Sequence, residues 1–103
     1  PQPDISLVKD RDYSEAHPMA ADVLLIVEVS DTTPDYDREV KVPLYARHGI
    51  PEVWLLDVRS GELTVYRDPV GGIYRTMDKP FPDARVSPSL APEVMVSLAA
   101  VFA

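Results

Sequence analysis

The chain has 103 residues, 46% of them hydrophobic and 26% charged, with no cysteine and a formal net charge of -7. That length allows one domain with a modest core, the composition is globular rather than disordered, and the missing cysteine excludes disulfides and thiolate metal sites. An acidic surface repels phosphate backbones, so DNA enters as a partner only against the net charge.

In chain order, Ile5 to Val8 reads as a short strand after Pro3-Asp4, and the polar stretch Lys9 to Ala21 reads as a loop. Ala21 to Ser30 is the strongest strand signal. It is apolar on both faces, so it is expected at the centre of a sheet covered on both sides. Thr33-Pro34 has the form of a helix start, with Thr33 as N-cap and Pro34 in the first helical position. The acids Asp35, Asp37 and Glu39 follow where the helix dipole favours anions. The helix is predicted to run to about His48 and stop at Gly49, with a kink or a second helical piece at Pro43, whose ring clashes one turn back.

Val53 to Val58 is the next strand. Arg59-Ser60-Gly61-Glu62 turns it into Leu63 to Arg67, making a hairpin, and Gly71-Gly72 turns again into Ile73 to Thr76. Pro80, Pro82, Pro88 and Pro92 forbid long regular elements beyond this point. A last short strand at Val94 to Val96 and a terminal helical turn at Leu98 to Phe102 complete the reading. Strand, strand, helix, strand, strand, strand describes an α/β chain with a mixed central sheet and a right-handed crossover helix. No apolar run approaches the roughly 18 residues of a membrane helix, and no export signal is legible. A cytoplasmic location with no membrane partner is the expectation.

Glu28 is the most informative residue. It falls near the carboxyl end of the most apolar strand, on one face with Leu24, Ile26 and Ser30 by two-residue alternation. A carboxylate buried there needs compensation; a structural partner or a site would each supply it, since sites gather at the carboxyl ends of α/β strands. If the first two strands pair antiparallel, Asp4 approaches Glu28. Two adjacent carboxylates repel unless a cation lies between them, and hard oxygen ligands suit Mg2+ or Mn2+. Asp4 also reads as a turn residue at a strand start. Lys41 follows Asp37 at i+4, a spacing that serves an exposed ion pair or brings an ammonium to the metal site. His17 in a loop and His48 at a helix end make no zinc site. Tyr45 and Trp54 read as packing residues, and Ser30 has no histidine partner for nucleophilic catalysis.

The motifs Pro3-Asp4-Ile5, Ala21 to Ser30, Asp37 with Lys41, Tyr45-Ala46 and Gly49 to Asp57, taken in that order, resemble the Uma-two family of bacterial endonucleases. That family has the PD-(D/E)XK, restriction-endonuclease-like fold. The resemblance implies that residues 1–103 form a single domain of this fold whose N-terminal part is missing. It implies that Asp4 and Glu28 are its metal-holding acids. The usual lysine two residues after the second acid is replaced here by Ser30. In this family the lysine has moved to the next helix, which points to Lys41, with Asp37 as its support.

The function expected on this ground is Mg2+-dependent (or Mn2+-dependent) hydrolysis of DNA phosphodiesters, with Asp4, Glu28 and Lys41 as catalytic residues. The alternative is an inactive nuclease-fold module for protein interaction or assembly, to which the acidic charge is better suited. A homo-oligomer is compatible with either, because a first strand without a preceding neighbour leaves an open edge.

Overall fold

The computed structural model describes residues 4–30 and 37–97, with the side chains of Asp37 and Arg38 excepted. Five strands build the main sheet: β1 (Ile5–Val8), β2 (Val23–Ser30), β3 (Glu52–Asp57), β4 (Glu62–Val70) and β5 (Ile73–Asp78). They lie side by side in chain order. Only β2 and β3 run parallel, and the other neighbours are antiparallel. Between β2 and β3 the chain passes through a π-helical turn, Asp37–Lys41, that runs into α1 (Val42–Arg47). A separate small ladder pairs β6 (Arg85–Val86) with β7 (Val96–Ser97). The α/β class with a mixed central sheet and a crossover helix is therefore as the sequence indicates.

Alternation along β2 and β3 divides the core in two. Ile26, Val53, Leu55 and Tyr66 face α1, where Val42, Tyr45 and Ile50 meet them. Leu25, Trp54, Leu63 and Val65 face the other way, against Val86 and the partly buried Val96 of the small ladder. This double cover is why β2 and β3 read as continuous apolar runs.

The helix is shorter and less uniform than its sequence pattern. Pro43 sits in the first turn of α1, where its missing N–H costs no helical hydrogen bond. The widened π turn lies immediately before it, as is common where a helix absorbs a steric conflict. The break expected at Pro43 is thus a change of helix type. His48 caps the C-terminus and Gly49 takes φ +71°, the left-handed stop that glycine supplies without strain. The helix start at Thr33-Pro34 and the terminal turn at Leu98 to Phe102 lie outside the described residues.

Other boundaries differ: β2 starts at Val23, β3 spans Glu52–Asp57 and β5 ends at Asp78. β4 continues through Pro69 to Val70, with Asp68 at φ +60°. The last short strand lies at Val96–Ser97, and its partner at Arg85–Val86 was not legible in the sequence.

Candidate active site

Glu28 projects from β2 on the α1 side and has 0% exposed surface. Its two oxygens have different partners. Lys41 Nζ donates to Oε2 at 3.0 Å, and the Tyr45 hydroxyl donates to Oε1 at 2.7 Å. Lys41 and Tyr45 are one helical turn apart, on the face that α1 and the turn before it present to the sheet. The geometry explains how the carboxylate tolerates burial: one charge-assisted bond and one strong neutral bond replace water. Lys41 keeps 19% of its side chain exposed, so the ion pair borders solvent at that end.

Asp4 is exposed, just ahead of β1. The register Ile5 to Val27 and Ser6 to Ile26, extended one step, sets Asp4 opposite Glu28. Its side chain turns onto the neighbouring strand, where Oδ2 accepts the Val29 N–H at 2.7 Å. The Asp4 carboxylate therefore docks on the backbone one residue beyond Glu28. Asp37 lies on the π turn, but its side chain is outside the described residues, and its part in supporting Lys41 stays an expectation.

Tyr45 was read from sequence as packing, and it is buried, but its hydroxyl is half of the Glu28 clamp. The i+4 spacing from Lys41 was visible; which face of the helix met the sheet was not. Ser30, which the sequence marks only as lacking a histidine partner and as standing in the place of the usual lysine, is the other residue whose part it does not show. It is 2% exposed, on the same face as Glu28, and its Oγ is buried without a hydrogen-bond partner among the described residues. A hydroxyl left so costs about 1–3 kcal/mol. Asp57, opposite Ser30 in the parallel register, caps the following turn, its Oδ1 accepting the Arg59 and Ser60 amides.

His48 Nδ1 lies within 3.1 Å of the Leu44 carbonyl, and no group of three or more His, Cys, Asp or Glu side chains among the described residues could hold a metal by itself. Any cation at Asp4 and Glu28 would depend on water for the rest of its shell. The groove of about 330 Å³ lined by Ile5, Leu7, Leu25, Val27 and Trp54 lies on the other face of the sheet and has no ionisable lining. It does not belong to this site.

The family model Uma2, described as "Putative restriction endonuclease", matches residues 1–100. Among solved structures the chain is similar to a putative nuclease belonging to DUF820 from Anabaena variabilis, at 26% identity and a TM-score of 0.60. The match covers 78% of this chain and 44% of that one, so the chain spans less than half of that nuclease. No functionally curated protein matches it.

Proposed function

The chain belongs to the Uma2 family, with its restriction-endonuclease-like fold, and from that membership we propose that it carries the active-site part of a Mg2+-dependent (or Mn2+-dependent) endonuclease acting on DNA phosphodiesters. The observation that carries this reading is Glu28: a fully buried carboxylate at the carboxyl end of a central strand, held at both oxygens by Lys41 and Tyr45, with Asp4 docked one residue away.

The donor set fits a hard divalent cation. An ionised carboxylate has about four lone-pair positions, and Glu28 uses one on each oxygen for Lys41 and Tyr45, leaving acceptor capacity on both. Asp4 is exposed and can be reached from solvent. Asp4 and Glu28 would hold the cation, water completing its coordination. When bound, the cation supplies Lewis acidity and lowers the pKa of a coordinated water. Lys41 contributes a fixed positive charge at the edge of the site, where negative charge develops on the phosphoryl oxygens. Asp37 is assigned as the support of Lys41.

Thermal melting with and without metal tests the reading. Metal at about 100 times its Kd adds about 2.7 kcal/mol, and for a domain of this size each kcal/mol raises Tm by about 4–8 °C. Mg2+ or Mn2+ is expected to raise the Tm of the wild type, Glu28→Gln is expected to remove that gain, and a wild-type curve unmoved by excess metal sinks the reading for this chain. The same two oxygen contacts on Glu28, with a net charge of -7, favour a second reading, an inactive nuclease-fold module for assembly. It predicts no metal response and a stable oligomer in light scattering.

A further inference from the structure

We propose that Ser30 is a further residue of the metal site, its hydroxyl holding a water in the cation's shell as an outer-sphere ligand. The inference rests on the reading of Asp4 and Glu28 as metal-holding acids. Ser30 is 2% exposed, and its Oγ has no hydrogen-bond partner among the described residues, although its carbonyl is used by the Val58 N–H at 3.0 Å. Folded proteins leave few buried hydroxyls unpaired, and those they keep need a reason.

The position supplies one. Ser30 and Glu28 share the α1-facing side of β2 and stand two residues apart, a Cβ separation of about 6.6–6.8 Å along a strand. The hydroxyl makes no hydrogen bond to the Glu28 carboxylate, so a water between the two groups is the proposed bridge. Asp4 docks on the amide of Val29, the residue between the two. Glu28, Asp4 and Ser30 thus bring three oxygen groups to the carboxyl end of β2. Of these, the hydroxyl is the one that can both accept and donate. Mg2+ sheds water reluctantly and keeps several coordinated waters, each a donor in need of an acceptor. The Glu28 oxygens each accept one bond, from Lys41 and Tyr45, whereas the Ser30 hydroxyl accepts none among the described residues.

The other orphaned atoms among the described residues are elsewhere. The Tyr66 hydroxyl is on β4, beside Tyr74. Arg67 Nε belongs to a guanidinium already engaged by Glu52 and the Ser87 carbonyl.

The test is Mg2+ titration by calorimetry and thermal shift on the wild type, Ser30→Ala, Tyr66→Phe and Glu28→Gln. Ser30→Ala is expected to melt without metal at or above the wild-type Tm, because it deletes an unpaired polar group. It is also expected to bind Mg2+ about 10-fold more weakly, the lower end of the range for outer-shell ligands. Ca2+, which takes more direct oxygen ligands, is expected to lose less. Tyr66→Phe, which removes the orphaned hydroxyl on β4, is expected to bind Mg2+ as the wild type does. Wild-type Mg2+ affinity in Ser30→Ala, beside lost binding in Glu28→Gln, overturns the Ser30 assignment alone. A lower metal-free Tm in Ser30→Ala with unchanged affinity marks the hydroxyl as structural and also overturns it. A wild type that binds no Mg2+ removes the metal-site reading and this inference together.

Discussion

Glu28 combines a charge with no exposed surface, and the physics of that combination governs what substitutions around it will do. A buried ion pair need not stabilise a fold relative to apolar packing, but breaking one by removing a single partner leaves an uncompensated charge. Tyr45 offers a milder probe. Tyr45→Phe preserves the ring packed among Ile26, Val42 and Ile50 and deletes the bond to Oε1. It is expected to cost about 1–3 kcal/mol in a denaturant melt. On the proposed function it also weakens Mg2+ binding, because the carboxylate is then held at one oxygen; unchanged affinity would reduce Tyr45 to a structural anchor. Glu28 itself was legible in the sequence, since a lone acid in a strand apolar on both faces announces a need for compensation. The identity of its partners was legible only as a helix spacing.

At the scale of elements, the long connection from β1 to β2 is tied down by one residue. Asp22 closes the 3₁₀ turn Ala20–Asp22 by accepting the Met19 N–H at 2.8 Å, and the same oxygen accepts from Arg11 at 2.9 Å. The Met19 amide first, and then Arg11, hold the Asp22 carboxyl below its usual range. A carboxylate whose folded pKa is depressed stabilises the fold above its unfolded pKa of about 3.9, and that contribution is lost as pH falls through the lower folded value. Asp22→Asn is therefore expected to melt below the wild type near neutral pH, with the gap closing below about pH 4. Melting curves collected across the acid range check this, and a gap independent of pH would contradict it. The strongest elements were the most legible. β2 and the β3–β4 hairpin show in composition and turn residues, with Gly61 at φ +72° in the turn. β6 was not, because a strand of two residues has no period to read.

For the whole molecule, the C-terminal segment is held to the sheet by a second buried carboxylate. Glu52 is 1% exposed; its Oε2 accepts from Trp54 Nε1 at 2.6 Å and pairs with Arg67 Nη2 at 3.1 Å, and its Oε1 accepts the Ser89 N–H at 2.8 Å. Arg67 also donates to the Ser87 carbonyl at 3.0 Å. The network joins β3, β4 and residues 87–89 in a chain whose proline-rich end forms little ladder of its own. Glu52→Gln keeps an acceptor but loses the charge, and bonds to charged groups carry about 1.5–3 kcal/mol each. Loss of global stability is expected, together with faster amide hydrogen exchange at Ser89 than at the β3 amides. Equal protection at both would mean that the segment is held by its apolar contacts, Val86 and Val96 against Trp54 and Leu63.

The sequence by itself determined the class of the fold, the order of its main strands and the singular position of Glu28, because periodicity, turn residues and an acid in an apolar strand are local signals. Family membership was likewise present in the ordered motifs, and the match over residues 1–100 bears it out. Tertiary structure decided what touches what. It set Lys41 and Tyr45 on separate oxygens of Glu28, seated Asp4 on the Val29 amide, left the Ser30 hydroxyl unpaired, and bound Glu52 to Ser89 across 37 residues of chain. Contacts of this kind depend on strand register and helix rotation, which neither hydropathy nor spacing encodes at single-residue precision.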